Sequence, residues 1–270
     1  MEAQTLHNLG LYSELAGEGP PVVLIHEGIC DSRMWAPQWE SFPRAHRTIR
    51  YDLRGYGRSP VASGPYSHAR DLLALFGELE LERASLVGVS VGGRIALEVA
   101  LARPDLVDAL VLVGSGLPGH AWSEVTASVW ADEEAAFERG DLDEAVELVL
   151  RLWVDGPRRS PDEVDPRVRE LVRTMQRTAY ELERSAGGAA HEELLVPDLA
   201  KRLAEVTAPT LVLAGDEDVP DIHAIADRLA SEIPGGRRAS IASTAHVPSL
   251  ERPAEFDELV LGFLAEHQAR

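Results

Sequence analysis

Basic side chains are in short supply: 26 lysines and arginines stand against 45 aspartates and glutamates, a formal net charge of −19. Phosphates would be repelled, and no lysine/arginine stripe offsets the acid, so neither nucleic acid nor an anionic membrane surface is expected as a partner. Cysteine is almost missing. Cys30 stands alone, which excludes an intrachain disulfide and suits a reducing compartment. No apolar run approaches the length of a membrane span. The opening MEAQTLHNLGLYSELAG has acidic and polar residues where a signal peptide needs a basic segment followed by an apolar one. A cytoplasmic location is the expectation. Internal repeats and low-complexity tracts are also lacking. No HExxH-type ligand spacing, phosphate loop or glycine-x-glycine dinucleotide fingerprint occurs, so no metal and no cofactor is expected.

What is present suits a soluble globular chain: 45% of residues are hydrophobic and 26% charged, and 270 residues can bury a large core in one domain with an insertion. Five runs are nearly continuously apolar: PVVLIH (21–26), RTIRYD (47–52), ASLVGV (84–89), DALVLVGS (108–115) and PTLVLAG (209–215). Strands buried on both faces read this way, as in a parallel sheet. RRASIAS (237–243) is a weaker sixth, and residues 4–15 hold one or two edge strands. Between them, residues 66–80, 93–103, 221–233 and 253–267 carry helical apolar spacing. Such alternation predicts an α/β fold, a mostly parallel central sheet flanked by helices.

The alternation stops after the strand that ends near Ser115. Three helical runs, 123–139, 142–153 and 166–185, follow with no strand between them. The expected division is therefore a core of residues 1–116 and 200–270 and a helical cap of residues 117–199. The cap holds Trp122, Trp130 and Trp153, which serve either to pack it onto the core or to touch a ligand. Ligands of open sheets bind outside the carboxyl ends of the strands, so an insertion leaving such an end is placed to roof a site. Arg151, Arg173, Arg177 and Arg184 in the cap could meet a carboxylate-bearing substrate; surface salt bridges are the other use for them.

Ser90 lies in SLVGVSVGGRIALEVA with glycines two places before and two after it. A tight strand-to-helix turn needs that spacing, because side chains at both positions would collide with neighbouring strands. The turn lifts the hydroxyl above the sheet and aims a helix N-terminus at it. The competing reading is a structural turn that happens to hold a solvated serine. A nucleophilic serine needs a base, and the base an orienting carboxylate. Chain order in such sheets is serine, acid, histidine. LVLAGDEDVPD offers Asp216, Glu217 and Asp218 after the fifth run, and IASTAHVPSLERP places His246 after the last. Asp218 is favoured, projecting from the far end of its loop; Asp216 is assigned to fixing the turn.

GVSVGG, GDEDV, AHVPSLERPAEF and YDLRGYGRS together resemble the α/β-hydrolase superfamily over nearly the whole chain. The run SGPYSHARDLLALFGELELERASLVGVSVGG further resembles its lactone- and ester-cleaving branch, which includes 3-oxoadipate enol-lactonases. The resemblance implies that the insertion is the family's lid and that Asp52 and Arg54 brace a scaffold connection. It also implies an oxyanion hole made by the backbone N–H groups of Gly28 and Val91. One residue departs from the pattern. His26-Glu27-Gly28 puts Glu27 where the family has glycine. A carboxylate facing the hole would oppose developing negative charge, so Glu27 is expected to point away or pair with a cation; acting on the substrate as an extra acid or base is the other reading. His26 is expected to brace the loop and Cys30 to pack within it.

These expectations add up to a cofactor-independent serine hydrolase of a small carboxylic ester or lactone, with Ser90, Asp218 and His246 as catalytic residues and Glu27 and Trp122 as substrate-proximal candidates. A carbon–carbon bond hydrolase, or a non-hydrolytic lyase or synthase with the same three residues, is the alternative. A ligand sensor with slow turnover is a third reading, supported by the fold alone.

Overall fold

A computed structural model describes residues 3–5, 10–186 and 190–267. The first two strands, β1 (Ala3–Thr5) and β2 (Tyr12–Ala16), pair antiparallel at one edge of the sheet. The apolar runs then give β3 (Pro21–Ile25), β4 (Arg47–Tyr51), β6 (Ala84–Val89), β7 (Val107–Val113), β9 (Thr210–Gly215) and β10 (Arg237–Ile241). Every residue of β6 and β9 is buried, as continuous apolar strands in the middle of a sheet require. The eight strands lie in the order β1-β2-β4-β3-β6-β7-β9-β10, parallel from β4 to β10.

Helices cover the sheet. They are α1 (Ala36–Ser41), α2 (His68–Glu78), α3 (Val91–Ala102), α7 (Pro220–Glu232), α8 (Pro248–Glu251) and α9 (Pro253–His267). The three helices of the insertion, α4 (Glu124–Arg139), α5 (Leu142–Val149) and α6 (Pro166–Ala186), all fall between β7 and β9. Ser123 opens α4 by accepting from the Thr126 N–H, and Gly140 closes it in the left-handed region.

Two details escape the apolar pattern. A two-residue pairing, β5 (Pro65–Tyr66) with β8 (His191–Glu192), stitches the end of the insertion to the core; strands this short carry no readable period. The helical run that reaches residue 153 ends α-helical geometry at Val149 and continues as a π-helical turn, Leu150–Asp155. Such wide turns recur at functional sites. This one delivers the Trp153 carbonyl to the backbone N–H of His246, 3.0 Å away. It ends at Gly156, at φ +76°, where a Cβ would fall 2.3 Å from the Glu217 carbonyl oxygen.

Register decides where the loops meet. Ile25 is level with Gly88, Val89 with Val113, Val113 with Leu213 and Gly215 with Ile241. The carboxyl ends of five neighbouring strands therefore form one edge. Glu27, Ser90, Asp218 and His246 all leave from it.

Candidate active site

Ser90 occupies φ +54°, ψ −112°, a backbone conformation costly for any residue with a side chain and sustained only when its surroundings enforce it. Here they do. Its N–H donates to the Val113 carbonyl at 2.8 Å, and its own carbonyl accepts from Gly116 and Arg94. A Cβ on Gly88 would sit 2.3 Å from the Gly92 carbonyl oxygen, and one on Gly92 2.3 Å from that of Ile25. Nothing larger than glycine fits either place. Val91 is the first residue of α3, so its N–H has no acceptor within the helix.

His246 is 2% exposed and its Nδ1 lies 2.7 Å from Asp218 Oδ2. With Nδ1–H donating to the carboxylate, Nε2 is left as the free ring nitrogen. Asp218 is itself held by the Val219 N–H, 2.8 Å from Oδ1. Asp216 instead accepts from the Ser243 N–H at 2.6 Å, fixing the turn beside it. The Trp153 ring lies 4.5 Å from the imidazole, centroid to centroid. Burial works against charge on His246, yet the Asp218 carboxylate, with a smaller contribution from Glu27, raises its pKa above the ordinary 6.5.

The loop after β3 is tied down by His26. The Leu53 N–H donates to its Nε2 at 2.8 Å, which leaves the proton on Nδ1 to donate to the Glu27 carbonyl at 2.7 Å. Burial lowers the pKa of this ring. It is a brace. Asp52 secures the adjoining connection by accepting from the Ser32 and Arg58 N–H groups, both at 2.8 Å. Gly28 faces Val91 closely enough that a Cβ would meet the valine Cγ2 at 3.3 Å.

Glu27 points inward. Its side chain is 1% exposed and borders, with Gly28, Ser90, Val91 and His246, a cavity of ≈ 200 Å³. Its Oε1 accepts from the Cys30 thiol at 3.3 Å, while Oε2 stands 3.8 Å from His246 Nε2. It does not point away, as a carboxylate beside an oxyanion hole was expected to do; its one cationic partner is the imidazole, and only when that ring is protonated. Burial, opposed by His246 and reinforced by Asp218, pushes its pKa up to about 7. Cys30 is buried, and that burial together with Glu27 pushes its thiol well above the usual range.

The insertion closes the same cavity with Trp130, Glu133, Val149, Trp153 and Gln176. Trp122 is corrected: it stands behind this wall, its ring 4.7 Å from Trp130 and 6.3 Å from Trp153. It supports the two tryptophans that face the cavity. Glu133 and Gln176 were not singled out in the sequence. One lies in an acidic run, the other in a charged amphipathic helix, and spacing alone cannot tell which polar residue turns inward. Of the cap arginines, Arg151 and Arg173 pair with Glu147, and Arg177 with Asp143 and Glu181.

A sequence model of the alpha/beta hydrolase fold matches residues 21–253. The RutD candidate carbamate hydrolase of Azorhizobium caulinodans is 30% identical over 95% of each chain. The 3-oxoadipate enol-lactonase 1 of Acinetobacter baylyi is 22% identical over 93% of this chain and 91% of its own. Among solved structures, Est816, described as an N-acyl homoserine lactone degrading enzyme, superposes with a TM-score of 0.76 at 29% identity, over 95% of this chain and 98% of that one. With the parallel sheet and the glycine-flanked serine turn at its carboxyl edge, these matches settle the family: the chain belongs to the alpha/beta hydrolases.

Proposed function

We propose that this chain is a serine hydrolase of carboxylic esters or lactones, with residues 117–199 acting as its lid over a core of residues 1–116 and 200–270. One observation carries the reading: Ser90, on its strained turn, and His246, backed by Asp218 at 2.7 Å, border a single cavity. Ser90 Oγ attacks the carbonyl carbon as its proton passes to His246 Nε2. The carbonyl oxygen becomes the oxyanion, held by the N–H groups of Gly28 and Val91 where the dipole of α3 also favours negative charge. Collapse breaks the ester C–O bond, and His246 returns the proton to the leaving oxygen. A water deprotonated by His246 then attacks the acyl-Ser90 carbonyl, releasing the acid and restoring the serine. Asp218 keeps the imidazole in the tautomer this needs.

The test is p-nitrophenyl acetate turnover with fluorophosphonate labelling. Wild-type protein is expected to hydrolyse the ester and take the label on Ser90. Ser90→Ala should lose the label and at least about 10⁴-fold in kcat. Turnover that survives Ser90→Ala would refute the assignment.

A further inference from the structure

The walls of the reaction cavity are one-sided in charge. Glu27 and Glu133 border it, and His246 is its one basic neighbour. Two further cavities share part of its wall: one of ≈ 210 Å³ is also lined by Gly28 and Gln176, and one of ≈ 280 Å³ by Trp130 and Glu133. Both reach Glu183, and the second also reaches Glu134. Among the described residues lining these spaces, Arg54 supplies the one guanidinium, and both arms of it are held by Asp71 at 2.9 Å. Arg151, Arg173 and Arg177 are paired with carboxylates, and Arg184 is not among the described residues that line these cavities.

Acidic walls alone would mean little. Two buried acceptors make the difference. Glu27 Oε2 and Gln176 Oε1 have no hydrogen-bond partner, although their side chains are 1% and 4% exposed and both border the reaction cavity. Buried polar atoms are nearly always satisfied, and an orphan in a cavity wall is a place for a donor that arrives with the ligand. The Glu133 carboxylate is already anchored by the Tyr180 hydroxyl at 2.5 Å. Glu27 adjoins Gly28 in the chain and lies 3.8 Å from the His246 ring nitrogen. Glu27, Gly28, Ser90 and His246 border the same cavity, so a donor on Glu27 belongs to a group close to the carbonyl that Ser90 would attack.

We propose that the substrate is an ester or lactone bearing a protonated amine beside its scissile carbonyl, with Glu27 accepting from the ammonium and the acidic wall through Glu133 excluding carboxylate-bearing analogues. The ammonium and Glu27 make a charge-assisted hydrogen bond at a carboxylate that is itself 1% exposed, where such bonds are stronger than in water. A site built around that bond discriminates against an analogue that leaves its acceptor unpaired. The inference rests on the ester-hydrolase reading above.

Methyl alaninate and methyl isobutyrate, which are nearly isosteric, and the bulkier monomethyl methylmalonate test it, with methanol release followed at pH 7.5, where more than half of the α-amino groups are protonated and most of the Glu27 carboxyl, with its pKa pushed up to about 7, is ionised. Methyl alaninate should be favoured in kcat/KM over the isobutyrate by at least about tenfold, with the anionic ester slowest. Glu27→Gln should cut the alaninate-to-isobutyrate ratio by about fivefold or more, and Glu133→Gln should reduce it less. Equal or faster cleavage of the isobutyrate or the anionic ester overturns the proposal while leaving the hydrolase reading intact. Methyl lactate matching the alaninate also overturns it, since a neutral donor would then suffice. If Glu27→Gln does not fold, the wild-type series and Glu133→Gln still decide. Calorimetric binding of the same esters to Ser90→Ala separates the two readings. Tighter alaninate binding without wild-type turnover of any ester supports the amine site and refutes the hydrolase. No preference in binding, together with none in turnover, refutes the amine site.

Discussion

Glu27 is shut away from water, so its ionised form is the costly one. Its pKa, ordinarily 4.5, is pushed up to about 7, first by burial. Between those values the folded chain keeps a proton that the unfolded chain has released, so stability falls as pH rises through this window and levels off above it. The interval amounts to roughly 3 kcal/mol. Glu27→Gln carries no charge at any pH. It is expected to be more stable than wild type by up to about 3 kcal/mol at pH 8 and near parity at pH 4.5, read from urea unfolding at both values. A variant less stable than wild type at pH 8 would contradict this account. The same carboxylate helps Asp218 raise the pKa of His246. A base must shed its proton first, so the acid limb of the kcat/KM profile should lie above pH 6.5 in wild type and move down in Glu27→Gln. A sequence could place Glu27 in this loop because a neighbouring motif told where the loop was. It could not tell that the side chain turns inward, because that depends on Cys30, His246 and the insertion meeting around it.

At the scale of elements, the strands and core helices were readable because burial on both faces leaves an unbroken apolar run and burial on one face leaves a helical stripe. β6 covers the very residues its apolar run marked, 84–89. The contacts between insertion and core were not readable, being made by single polar residues far apart in the chain. Glu98 on α3 is the clearest case. It is fully buried, pairs with Arg94, and accepts from the N–H groups of Leu195 and Val196 at 2.6 and 3.2 Å. Arg94 in turn holds Glu192 of β8. Together these bonds pin the segment that leads out of the insertion to a core helix. Arg94 keeps Glu192 when Glu98 is removed, so the main loss is the acceptor of the Leu195 and Val196 N–H groups, a cost of typically about 1–3 kcal/mol. Glu98→Ala is expected to lose that much in chemical denaturation, and to show faster proteolysis near residues 190–196 before the core is cut. Uniform loss of protection over the whole chain would mean that the pin serves the core instead of the insertion.

Over the whole molecule, the excess of 45 acidic over 26 basic residues creates a negative field that reaches well beyond the cavity at low salt. At 0.01 M ionic strength the screening length is about 30 Å, and at 0.1 M about 10 Å. A cationic ester would be concentrated toward the protein in the first condition and much less in the second, whereas a neutral ester would feel neither. For methyl alaninate, kcat/KM should therefore fall by roughly two- to fivefold as sodium chloride rises across that range, chiefly through KM. For methyl isobutyrate it should stay flat. Glu27→Gln keeps nearly all of the distant charge, so its alaninate activity, though lower, should retain most of this salt slope. A slope that vanishes with Glu27 would place the whole electrostatic preference at the cavity wall, and a slope shared by the neutral ester would show salt acting on the fold instead.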